Sequence, residues 1–328
     1  MGVVLEVNNL KAYYTIEYYD QRYVVRAVDD VSLRINECEI LGICGESGCG
    51  KSTLLKALYG LTLPPLKIFD GKIFYYIDGK KIDLLSLDER SLRNMRWRVM
   101  SYIPQGSMSV LNPTMRIRDQ FIRIIRAHNK EMSKNEIMEL IERSIEEKGL
   151  PHEVLSSYPH QLSGGMRQRV VIALATVLNP KIVFADEPTT ALDVIVQRGI
   201  LQMLKDTQRK LQNVIILVTH DMGVQAQITD RVAVMYAGHV VEVAPTESIY
   251  KSPLHPYTWY LINSLPRIGD KKRRKSIGGA PPSLINPPLG CRFAPRCPMK
   301  KDKCVKSVPK LVEVKPDHYV ACHLRGEA

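Results

Sequence analysis

The stretch Gly45-Glu46-Ser47-Gly48-Cys49-Gly50-Lys51-Ser52 has the spacing G-x-x-x-x-G-K-S, with Thr53 directly behind it. Glycines so placed let backbone N–H groups wrap phosphate oxygens at a helix start. The lysine adds a point charge for the outer phosphates, and the serine hydroxyl can ligate Mg²⁺. A glycine turn with an incidental lysine is the alternative. Far downstream, Lys181-Ile-Val-Phe-Ala-Asp186-Glu187 is an apolar run ending in two carboxylates. Beside a phosphate loop, Asp186 is suited to hold Mg²⁺ and Glu187 to polarise an attacking water. Alone, the pair reads as a solvated strand end. Between the two stretches, Ser163-Gly164-Gly165 precedes a helix-like run from Met166 to about Leu178. That is a second anion site at a helix start, or simply a serine N-cap.

These groups need elements to hold them. The glycine loop lies between the strand-like Glu39–Cys44 and the helix-like Thr53–Tyr59, which is the context a phosphate loop requires. Ile182–Ala185, Val194–Gln212 and Val214–Val218 alternate strand and helix patterns, which predicts a parallel sheet covered by helices. Tyr13–Val25 and Ile68–Leu84 are rich in Tyr, Ile and Val with Asp-Gly turns, so antiparallel hairpins are expected beside that sheet. No internal repeat at a solenoid period is visible.

The chain has 328 residues, enough for one large domain and a smaller one. With 45% apolar and 24% charged residues it is neither disordered nor fibrous in composition. The most apolar run, Val170 to Leu178, falls far short of the roughly 18 to 20 residues of a spanning helix. The chain is therefore expected not to cross a membrane. Its N-terminal residues lack a basic region followed by an apolar one, so a cytoplasmic protein without a secretory signal is expected. Charge is unevenly spread: residues 251–328 hold 16 Lys and Arg against 5 Asp and Glu, and 11 of the 20 prolines. The first 250 residues are nearly neutral. A boundary near 250–265 follows, giving domains 1–260 and 261–328.

The phosphate loop, Ser163-Gly164-Gly165 and the Asp186-Glu187 pair together resemble an ATP-binding cassette (ABC) ATPase. The resemblance implies an α/β fold: a parallel-sheet core around the loop, an antiparallel β subdomain, a helical subdomain and a small C-terminal extension. It also implies further roles. Tyr13 is the adenine-stacking aromatic, with Tyr14 the other claimant, and Gln105 reaches Mg²⁺ and the attacking water and links the site to a transmembrane partner. Thr190-Ala-Leu-Asp193 is the loop that crosses between two ATPase subunits, and His220 contacts the terminal phosphate. The family commonly has glutamine after the serine and two glycines; here it is Met166, which cannot donate the same side-chain hydrogen bond. Ser163 and the Gly165 backbone are expected to carry the contact. Leu162–Arg169 and Ser109-Val-Leu-Asn-Pro-Thr-Met115 are similar to one branch, the ATP-binding subunits of oligopeptide and dipeptide importers.

Seven cysteines include Cys291, Cys297, Cys304 and Cys322 in the tail, spaced C-x5-C-x6-C-x17-C. In a reducing compartment such a group reads as metal ligation before disulfides. Four thiolates with lysines to offset charge can hold an iron–sulfur cluster, and the importer resemblance implies a [4Fe-4S] cluster here. Zinc on four thiolates, or on three plus His323, and a metal-free tail are the alternatives. The expected role is structural, because a proline-rich tail buries little surface and benefits from a staple. The basic run Lys271-Lys-Arg-Arg-Lys275 reads as a solvated loop, with acidic lipid headgroups or nucleic-acid phosphates as further readings.

The function that follows is an ATPase subunit on the cytoplasmic face of the cell membrane, driving uptake of oligopeptides or dipeptides through a separate permease. Oligosaccharides are the alternative cargo. The expected partners are a second, related ATPase subunit forming a heterodimer around two ATP molecules, two permease subunits and an extracellular solute-binding protein. A soluble cassette ATPase acting on nucleic acid is the distant alternative. It lacks support, because no aromatic interleaving accompanies the basic run and no long coiled coil or second cassette is present.

Overall fold

A computed structural model describes residues 2–106, 110–190, 192–265 and 277–325. Ser109 of the importer-like stretch, Ala191 of the crossing loop and the basic run Lys271–Lys275 lie outside them. The chain forms two compact units, one of Met1–Leu85 with Val218–Ala328 and one of Ser86–Leu217.

In the first unit, β1 (Val3–Tyr18) and β2 (Gln21–Asn36) form a long antiparallel hairpin, and β4 (Leu66–Ile77) and β5 (Lys80–Asp83) complete a sheet of order β2-β1-β4-β5. Both hairpins turn on two residues of positive φ, Tyr19-Asp20 (47° and 56°) and Asp78-Gly79 (49° and 75°). This left-handed pair matches the twist of the flanking strands. β3 (Ile40–Cys44) pairs parallel with β9 (Arg231–Tyr236), and all five residues of β3 are buried, as expected for a parallel strand covered on both faces. β3 feeds α1 (Lys51–Leu58) through the glycine loop. Two further helices, α7 (Met222–Ile228) and α8 (Thr246–Lys251), flank β9 and its antiparallel partner β10 (His239–Pro245).

The tail departs from the expectation of a segment with little core of its own. β12 (His318–Val320) pairs with β10, and β11 (Val312–Lys315) pairs with β12, so the tail extends the sheet as a hairpin. Phe293 is fully buried with its ring centroid 5.2 Å from that of Tyr236 and 5.5 Å from that of Tyr257. Tyr257 belongs to α9 (Pro256–Asn263). Buried Glu242 accepts the backbone N–H groups of Leu254 and His255 and lies 2.7 Å from His318 Nε2. Apolar packing and satisfied polar groups thus hold the tail.

In the second unit, β6 (Met100–Ile103) and β7 (Ile182–Asp186) run parallel, with β8 (Val214–Val218) beside β7. Helices α2 (Glu89–Met95), α3 (Ile117–His128) and α4 (Lys134–Glu146) make up its helical part, before α5 (Gly164–Thr176) and α6 (Val194–Leu211). Ile117, Phe121 and Ile125 in α3 and Ile137, Ile141 and Ile145 in α4 are buried at i, i+4, i+8 spacing, the stripe that directs a helix onto a core. The apolar run Val170–Thr176 is buried within α5. Among the described residues no helix is long and apolar enough to cross a membrane.

Candidate functional site

The glycine loop is shaped by its close neighbours. Gly50 has φ +104° and would place a Cβ 1.9 Å from Ala27 O, while Gly45 has φ +146° and its Cβ would lie 2.1 Å from Met235 O. No side chain fits at either position. Gly50 caps α1 without a side-chain bond, so the first N–H groups of the helix are offered to a ligand. Lys51 is buried, and its Nζ donates to Gly45 O (2.8 Å) and Glu46 O (3.0 Å), which folds the ammonium back over the loop. Ser47 and Gly48 are exposed, and Thr53 is buried against the Tyr14 hydroxyl at 3.2 Å. Burial raises the Cys49 thiol pKa against the pull of Lys51, leaving a small apolar group. The cradle, its cation and the Ser52 hydroxyl fit a nucleotide with Mg²⁺.

Tyr13 is half-buried, and its ring tilts against Phe69 with centroids 4.9 Å apart. Its hydroxyl donates to the Asp29 carboxylate. Burial and that carboxylate together raise the phenol pKa. Burial works to raise Asp29 as well, yet the His239 ring 3.9 Å away, the Tyr13 hydroxyl and the Arg292 charge hold it well below the usual carboxylate range. Tyr14 spends its hydroxyl on Thr53, so the two tyrosines are separately engaged. His220 is exposed after the last residue of β8, next to Asp221, which caps α7 by accepting from the Val224 N–H at 3.1 Å.

In the second unit the structure brings together Gln105, Asp186 and Glu187. Gln105 Nε2 donates to Glu187 Oε2 at 2.9 Å, and Thr190 Oγ1 donates to the same oxygen at 3.0 Å. Glu187 itself sits at φ +47°, a left-handed turn that swings it off the end of β7. Asp186 is 2% exposed and accepts from the Tyr102 hydroxyl at 2.8 Å. Ser163 caps α5 by accepting the Met166 N–H at 3.3 Å, so at Met166 the backbone, not the side chain, is engaged. The helix therefore begins at Gly164, two residues earlier than the pattern of apolar residues indicates. Asp193 caps α6 by accepting from Val196 N–H at 2.9 Å. A Cβ on Gly165 would meet Val196 Cγ1 at 2.9 Å, so the small residue lets the two helix starts approach.

Sequence reasoning missed Tyr102, Phe69, Asp29 and a set of residues that grip Glu46. The Glu46 N–H donates to Tyr257 Oη at 2.8 Å, and its carboxylate is held by Arg296. These partners stand 211 and 250 residues away in the chain, so no local signal marks them.

The tail cysteines require a correction. Cys291, Cys297, Cys304 and Cys322 do line one cavity, but its volume is only about 10 Å³, room for about one water molecule. Among the described residues no group of three or more His, Cys, Asp or Glu is placed to hold a metal. Burial pushes the Cys291 thiol up to about 11 and raises Cys297 and Cys322. The residues do not fit the [4Fe-4S] cluster or its zinc alternative, and the metal-bound extension is withdrawn. Phe293 and the β11–β12 hairpin supply the anchorage that a metal staple was invoked to provide.

The ABC transporter family model matches residues 28–190, and the oligopeptide/dipeptide transporter C-terminal region matches residues 241–304. The chain is 43% identical to the dipeptide transport ATP-binding protein DppD of Caldanaerobacter subterraneus subsp. tengcongensis, over 100% of this chain and 98% of that protein. Identity to DppD of Bacillus subtilis is 42%, over 100% of this chain and 96% of that one. The oligopeptide transport ATP-binding protein AppD of Bacillus subtilis is 41% identical over 100% and 98%. These relatives are described by dipeptide or oligopeptide transport, and the oligosaccharide alternative is set aside. Among solved structures, the dimeric ATP-binding cassette MJ0796, in a post-hydrolysis state bound to ADP and Pi, aligns with TM-score 0.62 and 29% identity. That alignment covers 74% of this chain and 98% of the cassette. Matched along its whole length to such ATP-binding proteins, the chain belongs to the ABC transporter family of ATP-hydrolysing subunits.

Proposed function

We propose that the chain is the ATPase subunit of an importer for dipeptides or oligopeptides, acting on a separate membrane permease. The observation that carries this reading is the full-length identity to dipeptide transport ATP-binding proteins, tail included. The chain then works at the cytoplasmic face of the membrane, beside two permease subunits, with an extracellular solute-binding protein delivering the cargo. A second, related ATPase completes a heterodimer around two ATP molecules, and nucleic acid has no part. Residues 1–260 form the ATP-binding domain and 261–328 the importer-type tail.

In this reading Gly45 to Thr53 hold the phosphates and Tyr13 the base. Ser52, Gln105 and Asp186 would hold Mg²⁺, which when bound neutralises charge developing on the phosphates. Glu187 takes the proton of the attacking water. Its Oε2, fixed by Gln105 and Thr190, is oriented before water arrives, and a base held by two donors loses little freedom in the reaction. His220 contacts the terminal phosphate. Ser163, Gly164, Gly165 and Asp193 serve the second nucleotide, across the ATPase dimer, through N–H groups at helix starts.

Replacing Glu187 by Gln keeps the hydrogen-bonding shape and removes the base. Turnover should fall by at least about 100-fold, with ATP binding retained, measured as phosphate release and nucleotide affinity. Unchanged hydrolysis would overturn the assignment of Glu187. For the cargo, cells lacking the chain should lose uptake of a radiolabelled dipeptide, and undiminished uptake would refute peptide import.

A further inference from the structure

Two arginines of the tail reach the loop and the ring that the preceding section gives to ATP. Arg296 grips Glu46, the second residue of the phosphate loop, through Nη1 to Oε2 at 2.8 Å and Nη2 to Oε1 at 3.0 Å. The arginine side chain is 6% exposed. Its Nε donates to Gly278 O at 3.0 Å and its Nη1 also donates to Tyr236 Oη at 3.2 Å, so the guanidinium is fixed on its far side. Glu46 is consequently held at three points. Arg296 takes the carboxylate, Tyr257 Oη takes the N–H at 2.8 Å, and Lys51 Nζ donates to the carbonyl at 3.0 Å.

Arg292 acts in the same way on the aromatic ring. It is buried, its Nη2 donates to the Asp29 carboxylate that accepts the Tyr13 hydroxyl, and its Nη1 donates to Ala237 O. A carboxylate in a loop built for phosphates repels the ligand unless a cation neutralises it. A forked arginine does so and also imposes one geometry on the loop. The loop is then shaped before nucleotide arrives, which lowers the ordering cost of binding.

We propose that Arg296 and Arg292 are positioning residues for ATP: Arg296 shapes and neutralises the phosphate loop through Glu46, and Arg292 sets Tyr13 through Asp29. The tail of this chain tunes nucleotide affinity from outside every ATP-binding motif. The proposal rests on the ATPase reading of the same site.

The test titrates the full-length chain with a fluorescent ATP analogue and Mg²⁺, competes it with inorganic tripolyphosphate, and records Tm for each variant. Arg296→Gln should weaken both ligands about 10-fold, and in a Glu46→Gln background the same change should alter affinity by less than about 2-fold. Arg292→Gln should weaken the ATP analogue but not tripolyphosphate, because it acts on the base. Arg292→Lys carries that arm if the glutamine variant does not fold. Turnover at saturating ATP should stay within about 2-fold of wild type for Arg296→Gln, so that KM moves and kcat does not. The proposal is overturned if Arg296→Gln binds as wild type does, or if its effect persists unchanged without the Glu46 carboxylate. It is equally overturned if both arginine variants weaken the two ligands alike and only in step with Tm. A wild-type chain that binds no nucleotide would instead overturn the ATPase reading on which the proposal stands.

Discussion

His255 is a completely buried base that the fold keeps neutral. Its Nδ1 accepts the Tyr257 N–H at 3.0 Å and caps α9, a bond that a protonated imidazole could not accept. Burial lowers its pKa from the ordinary 6.5 to about 4, against the pull of the Glu242 charge. The unfolded chain therefore binds a proton at a pH where the folded chain does not. The contribution is fully present above about pH 6.5 and is lost as pH falls toward 4, amounting to about 3 kcal/mol. Thermal melts between pH 7.5 and pH 4.5 should show this decline, and His255→Asn, which keeps a capping acceptor without the titration, should flatten it. Asp29 is shifted downward too, but for a different reason, since its partners favour the charged form against the opposing effect of burial. Its stabilisation is present above the ordinary carboxylate range and is lost only at lower pH, so the two windows separate.

The elements that carry the site are set by turn chemistry and caps, and these can be broken one at a time. Gly50→Ala drives a Cβ to within 1.9 Å of Ala27 O from a left-handed backbone, so the start of α1 must shift. Affinity for ATP should fall by at least about 10-fold, with a lower Tm, read from the same titration and a thermal melt. Ser133→Ala serves as the contrast. Ser133 and Glu136 form a reciprocal capping box at α4, and its removal should cost about 1 kcal/mol in denaturant unfolding while ATP affinity is unchanged. These elements were readable from the sequence where the signal is short-range. Asp78-Gly79 marks one hairpin turn, and the all-apolar Ile40–Ile43 marks a covered strand. The start of α5 was misplaced because Gly164 and Gly165 carry no helical pattern, and only the Ser163 cap shows that the helix has begun.

Across the molecule, the tail is bound to the unit that holds the phosphate loop by ordinary packing. Phe293→Ala should cost about 3–5 kcal/mol, measured by denaturant unfolding, because the ring is fully buried among Tyr236, Tyr257 and His255. The phosphate loop, the carboxylate pair, the serine-glycine helix start and the strand–helix alternation could all be read from the chain alone. Each is chemistry or geometry written over a few neighbouring residues, and its spacing is the signal. What folding added has no such spacing. The four cysteines are arranged in the sequence like ligands, but in the fold they line a cavity of about 10 Å³, with His255, Pro256 and Phe293 closing the space beside them. Arg296 and Glu46 stand 250 residues apart, and neither position carries a local pattern that names the other. Their contact exists only because the tail packs into the same unit as the loop, and long-range packing is where a linear pattern stops specifying a structure.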